Sequence, residues 1–377
     1  MKRYILLFAI LPVILSGLNF SGDYNYNYYY YQSINAYGEN RITLNARHMS
    51  GPATMYIQGL GLFYIGSPKY YIPYPDWFPQ SIMQYMPDYY ALNNEYRVNQ
   101  IYLSLFYRFI NLKIGRFSVK WGLSEIYSPI DIFGQNNPMN LNYIREGIDG
   151  IYLKASQGNN TLGFIYEDHT DYEKTKQGLM FENINEFSSV KFHIAHYFDF
   201  RQGLFNSNTV EYSMFSAGII TDYNGPGIWL EADYFADMNY YIRDSLDDFS
   251  KYYVTAGIDY TFFDKLYLMG EYIHKSNGKS APYSALDIIS RYINSDFLIG
   301  RHYVSGIAAY NREGKFSAET MTMLNAIDMS MLNAASIRFN AEENLTFSLT
   351  GLFFTGDSED DFSGLPPIYA LQVQYLF

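Results

Sequence analysis

The sequence predicts an all-β fold, a transmembrane antiparallel up-and-down β-barrel of about eighteen strands, with sixteen as the alternative count. Three observations carry this. Segments of about ten residues with alternating hydrophobicity recur to the end of the chain. Tight turns and long loops follow one another in alternation along it. The chain closes on "YALQVQYLF", where Tyr369, Leu371, Val373, Tyr375 and Phe377 share one face because strand side chains alternate with period two. Beyond the first residues no run of about 18 apolar residues occurs, so no helix can cross a membrane and only a barrel could.

Lys2 and Arg3 precede a short apolar run broken by Pro12 and followed by Ser16, Gly17, Ser21 and Gly22. This is the layout of a secretory signal peptide, expected over residues 1–22 and excluded from the fold. The barrel is then expected over 23–377. Strands are placed near 23–33, 39–48, 52–65, 96–109, 112–120, 146–156, 159–168, 175–184, 187–198, 209–222, 227–237, 251–262, 265–275, 299–311, 315–325, 329–340, 344–355 and 367–377. In "NLTFSLTGLF", Leu345, Phe347, Leu349 and Phe353 oppose Asn344, Thr346, Ser348 and Thr350. The poorest alternation is in "KQGLMFENIN", 175–184.

Tight turns are expected at Ile110–Asn111, Gln157–Gly158, Phe263–Asp264, Glu313–Gly314 and Glu342–Glu343, and long loops at 66–95, 121–145, 238–250, 276–298 and 356–366. Short turns on one rim and long loops on the other define an outer-membrane barrel with both termini on the periplasmic side. A final aromatic strand resembles the C-terminal signal that bacterial outer-membrane proteins present to their insertion machinery, which makes Phe377 the contact with that partner. Aromatic residues make up 19% of the chain, with 41 Tyr and 28 Phe, which suits aromatic girdles at the two membrane interfaces. Outer-membrane lipid and lipopolysaccharide are the expected surroundings.

The net charge of -12 excludes a nucleic-acid partner, which would need clustered Lys and Arg. With no Cys there is no disulfide framework, thiolate metal site or lipoprotein anchor. His193 and His196 are three apart in a strand and point to opposite faces, so they cannot chelate together. "GDSEDDFSG", 356–364, bunches carboxylates without the spaced ligands of a calcium loop. No Gly-x-Ser-x-Gly, phosphate loop or dinucleotide fingerprint is present. No enzyme, metal or cofactor is expected.

"NLKIGRFSVKWGLSEIYSPIDIFGQNNPMNLNYIREGIDGIYLK" carries the one recognisable motif, with Gly115-Arg116, Trp121-Gly122, Ser128-Pro129, Asp131 and Phe133. It resembles a segment of Gram-negative outer-membrane barrels, found in a porin-like family without settled function and, in weaker form, in the capsule-assembly surface lectins. The resemblance implies an outer-membrane location and, by analogy with porins, a homotrimer as one possible assembly. It also implies that loop 121–145, the third connection on the long-loop rim, folds into the lumen as the corresponding loop of general porins does, with Glu125 and Asp131 offering carboxylates and Trp121 a stacking face. The other reading of Trp121 is an interface aromatic on a loop that covers the rim.

Strand parity assigns the remaining charges. Arg41 and Arg47 oppose Ile42 and Leu44, and Arg108 opposes Leu105 and Tyr107. With Phe117 and Val119 taken as lipid-facing, Arg116 and Lys120 turn inward. Glu231, Asp233, Asp259 and Glu271 are likewise inward. A charge on the lipid face would cost about 2 to 4 kcal/mol near mid-bilayer. The expected lumen thus has a basic wall facing an acidic one. The function expected is a channel for small polar solutes. The alternative is a barrel with a closed lumen that holds surface polysaccharide on its outer loops, among them the aromatic stretch Tyr70 to Tyr96.

Overall fold

The computed structural model describes residues 18–31, 35–66, 69–71, 89–91, 93–134, 144–169, 175–202, 207–222, 225–238, 250–283, 287, 298–357, 360–362 and 367–377. The strands are β1 (Asn19–Tyr31), β2 (Asn35–Ser50), β3 (Ala53–Gly66), β4 (Lys69–Tyr71), β5 (Tyr89–Ala91), β6 (Glu95–Tyr107), β7 (Ile110–Phe117), β8 (Ile148–Gln157), β9 (Asn160–Glu167) and β10 (Lys176–Ile184). They continue as β11 (Ser188–Gln202), β12 (Ser207–Asp222), β13 (Gly227–Asp237), β14 (Lys251–Phe262), β15 (Leu266–Lys275), β16 (His302–Tyr310), β17 (Phe316–Asn325), β18 (Met331–Glu342), β19 (Leu345–Thr355) and β20 (Ile368–Leu376). Short β4 and β5 pair only with each other. The other eighteen form one antiparallel sheet in which each pairs with its sequence neighbours, and β1 pairs with β20 to close it.

Closure satisfies every edge of the eighteen-stranded sheet within the chain, the only arrangement of strands a bilayer tolerates. β13 shows how the sequence dictates the two surfaces. In "GIWLEADYFAD", Ile228, Leu230 and Tyr234 are exposed, while Trp229, Glu231, Asp233 and Phe235 are buried. The same parity leaves Leu44, Leu103, Ile151, Phe192, Ile258, Val304 and Leu349 exposed around the barrel. So continuous an apolar outer belt is stable only against lipid. Leu230→Arg, which puts a charge on that belt, is expected to destabilise the folded barrel by about 2–4 kcal/mol in lipid vesicles if the site lies at mid-bilayer. A denaturant titration against Ala236→Arg, near the rim, measures the difference.

Aromatics crowd the turn-bearing rim: Phe109, Phe187, Phe263, Phe316 and Phe377 are all exposed there. At the seam the Gly22 N–H donates to the Phe377 carbonyl at 2.8 Å and the Phe377 N–H to the Gly22 carbonyl at 3.1 Å. A Cβ on Gly22 would lie 2.7 Å from the Phe377 ring, so glycine is what lets the terminal ring lie flat on β1.

Several boundaries differ from the sequence reading. The wall begins at Asn19, ahead of the expected Asp23, with Asn19 opposite Arg47 and Gly22 opposite Leu44. The weakly alternating segment near 175–184 is a full strand, β10, paired on both sides. The turn before β7 is Arg108–Phe109, two residues earlier than expected, with Arg108 at φ 55°. β7 ends at Phe117 instead of continuing to Lys120. Residues 1–17 and most of the stretch from Tyr70 to Tyr96 lie outside the described residues.

Candidate functional site: the loop inside the barrel

After Phe117 the chain turns into the barrel. Phe117 is itself buried, in a cluster with Trp121, Ile130, Phe133, Ile165, Tyr212 and Phe235. The turn depends on Gly122, at φ 94°, where an added Cβ would strike the Ser128 side chain. The Ser128 hydroxyl donates to the Trp121 carbonyl at 3.2 Å and closes the bend.

Glycines in the wall receive the loop's large side chains. Trp121 sits on Gly178 of β10, where a Cβ would lie 1.9 Å from the indole, and Leu123 sits on Gly218 of β12. Trp121 meets Phe133 edge-on at 4.8 Å and His193 at 5.1 Å. Two inward carboxylates then hold the loop's backbone. Glu231 accepts the Leu123 N–H at 2.7 Å. Glu271 accepts the Ser124 hydroxyl at 2.8 Å, the Glu125 N–H at 3.1 Å and the Trp229 indole N–H at 3.2 Å. Lys176 adds a bond from β10 to the Ile132 carbonyl at 2.7 Å. The loop thus lies along the inner wall from β10 to β15.

Its own two arms are tied by Asp131. That carboxylate accepts the Trp121 N–H at 3.2 Å and pairs with Arg145 at 2.7 Å, while Arg145 also donates to the Val119 carbonyl at 2.6 Å. Burial pushes the Asp131 carboxyl up from 3.8 to about 6 against the pull of Arg145. Because the folded value is raised, its contribution to stability is full below 3.8 and is lost as the pH rises through about 6. The thermal midpoint of the wild type should therefore fall, relative to Asp131→Asn, across that window. Parallel curves for the two proteins would contradict it.

The structure sorts the expected lumen residues into four groups. Arg41, Arg47 and Asp259 share the inward face, and Asp259 accepts the Gly227 N–H at 3.1 Å and the Tyr267 hydroxyl at 3.0 Å. Glu231, Asp233 and Glu271 are also inward but buried, Glu231 and Glu271 turned to the loop, so the acidic wall is covered and does not face the basic one across open water. Lys120 and Glu125 pair at 3.3 Å on the exposed side of the loop. The remaining four call for correction.

Arg116 is outward. It stands opposite Ile101 and Asp149, in the parity of exposed Ile114, and pairs with Asp149 at 3.0 Å. Phe117 is apolar because it packs under the loop, not against lipid, and that single inversion reverses the whole strand. Arg108 is a turn residue at the rim, its guanidinium 5.3 Å from the Tyr107 ring. The Trp121 indole is buried and cannot serve as an open stacking face, and Asp131 is buried against Arg145 and offers no carboxylate to the lumen.

The same inversion hid the true inward cations, Lys113 of β7, over the Tyr102 ring at 5.3 Å, and Lys154 of β8. Parity counted from Leu153, which is exposed, finds both. Sequence reasoning also missed a polar lattice on the wall away from the loop. Asn27 donates to Glu39 at 3.0 Å, Gln58 to Asn45 at 3.0 Å, Asn99 to Gln58 at 2.8 Å, and Gln372 to Asn25 at 3.1 Å across the seam.

Neither a family model nor a curated protein matches the sequence. Solved structures do match in fold. Pseudomonas aeruginosa OccK5 (OpdH) is similar with a TM-score of 0.61 at 10% identity, over 97% of this chain and 99% of that one. OccK3 (OpdO) of the same organism gives 0.60 at 12% identity, over 99% of each. Its OpdK, crystallised with vanillate, gives 0.60 at 12%, over 96% of this chain and 99% of that one. Together with the outward apolar belt, this likeness gives the chain the closed barrel fold of these proteins, here of eighteen strands.

Proposed function

We propose that this barrel is a channel of the bacterial outer membrane, through which small polar solutes pass between the inward loop and the opposite wall. The observation that carries this is the asymmetry of the interior. The loop is pinned to β13 and β15 by Glu231 and Glu271. On the other side Arg47, Glu319 and Arg338, all within five residues of the turn-bearing rim, have inward parity and are solvent-exposed, so the barrel is open to water at that mouth. Inward side chains that meet solvent favour a water-filled passage over a packed core, and the loop, 121–145, is what narrows it.

Conductance of the refolded barrel in a planar bilayer tests the reading. Stable single-channel steps are expected, with anion preference reduced by Arg47→Ala or Arg338→Ala. A barrel that inserts correctly and stays silent would overturn it and turn attention to glycan held on the outer loops. We place the leader's end before Asn19, since β1 uses Asn19 to Gly22 in pairing. N-terminal sequencing of the exported protein checks that, and a mature chain starting at Asp23 would refute it.

A further inference from the structure

Of the chain's six histidines, two face each other across neighbouring strands. His274, near the end of β15, stands directly opposite His302, the first residue of β16. Both share the parity of exposed Tyr272 and Val304, so both lie on the outer surface, where the wall meets the long-loop rim. Their Nδ1 atoms are 3.4 Å apart, with ring centroids at 4.8 Å and the ring planes inclined at 43°. The Tyr272 hydroxyl lies 2.7 Å from His302 Nδ1. Two imidazole nitrogens and a phenol oxygen thus form one contiguous donor group.

Hydrogen bonding alone serves this group poorly. An imidazole nitrogen offers one in-plane proton or one lone pair, so His302 Nδ1 can serve Tyr272 or His274 but not both. The 3.4 Å contact is also long against the about 2.9–3.0 Å that N–H donors prefer. The same separation suits a metal ion. Two nitrogens held by one tetrahedral zinc ion at about 2.0–2.1 Å each stand about 3.3–3.4 Å apart. The rings are held in place from either side: Tyr252 lies 5.4 Å from the His274 ring, and Tyr272 stacks on His302 at 6.1 Å. The neighbouring cations are engaged with backbone. Arg301 Nε donates to the Gly278 carbonyl at 3.2 Å, and Lys275, of inward parity, donates to the Leu298 carbonyl.

We propose that His274 and His302 bind one divalent transition-metal ion of the Zn²⁺ type through their Nδ1 atoms. Neutral imidazole suits such an ion, and coordination takes up both lone pairs at once. Among the described residues no three imidazoles or carboxylates converge, so the Tyr272 hydroxyl is the third protein ligand and water completes the shell. The ion then bridges β15 and β16 at the final rung of their pairing, on the side of the wall that faces away from the lumen. It clips the rim of the sheet and takes no part in the passage.

Zinc titration calorimetry of the untagged, refolded full-length barrel, with folding verified by heat-modifiable gel mobility, tests this. One Zn²⁺ per barrel is expected for the wild type. Loss of a partner that merely orients a ligand costs a metal site about 10–100-fold in affinity, so loss of a ligand itself, in His274→Gln or His302→Gln, should cost at least about 10-fold. Tyr272→Phe, which keeps the ring and removes the oxygen, should fall between these and the wild type. Binding should weaken as the pH drops and the imidazoles take up protons. Zinc should raise the thermal midpoint of the wild type and leave those of the two histidine variants unmoved. No binding by the wild type, or equal binding by the wild type and both histidine variants, would overturn the site and leave an ordinary histidine pair. Because the readout is heat of binding, its failure leaves the channel reading standing, and a silent bilayer leaves the metal site standing.

Discussion

Glu271→Ala should free the inward loop and produce the largest change in conductance of any single substitution in the barrel. The carboxylate receives three donors, the Ser124 hydroxyl, the Glu125 N–H and the Trp229 indole N–H. Removing it leaves the Glu125 and Trp229 N–H groups without that acceptor, at about 1–3 kcal/mol each, while the Ser124 hydroxyl keeps the Tyr127 carbonyl at 2.6 Å. The loop then gains by leaving the wall for water, and the passage is no longer held at one width. Larger and noisier single-channel steps are expected, with a lower thermal midpoint. Glu271→Gln keeps an acceptor oxygen and should lie between the two. Channels of wild-type size and steadiness in Glu271→Ala would mean that the loop is held by apolar packing alone.

The second large effect concerns that packing. Trp121→Ala removes the indole from a cluster that includes Phe133, Ile130 and Phe117, and a truncation of that kind costs about 3–5 kcal/mol. Gly178→Val attacks the same contact from the wall, because its Cβ would fall 1.9 Å from the ring. Each should destabilise the barrel alone. Combined, they should cost less than their sum, since valine then fills part of the space the indole vacated. Additive losses in a double-mutant cycle would show that the two do not act on one contact.

The barrel was legible because closure and the two-residue period act on every strand at once, so local ambiguity in β10 did not change the count. The site was less so. Alternation tells which residues share a face but not which face meets lipid. Where a loop fills the lumen, both faces become apolar. Phe117 is the case in point: its hydrophobicity was read as membrane contact, which sent Arg116 inward and concealed Lys113. Asp131 and Trp121 are expected to offer a carboxylate and a stacking face to the lumen, but both are buried against Arg145 and Gly178, partners unmarked by any motif. Glu231 and Glu271 were read as charges presented to solute because nothing local shows that backbone N–H groups of a loop more than a hundred residues away would reach them.

The seam between β1 and β20 bears on how the protein is made. It is the pairing with the longest span of chain between its partners, so its conformational entropy cost is met late, after the sixteen intervening strands have drawn the ends together. Until then the two edge strands expose unpaired backbone. The seam joins the two ends of the sheet, so an open-edged sheet is the obligate precursor of the barrel. Shielding that edge during transit is therefore a requirement of assembly for this topology, independent of what the finished channel carries.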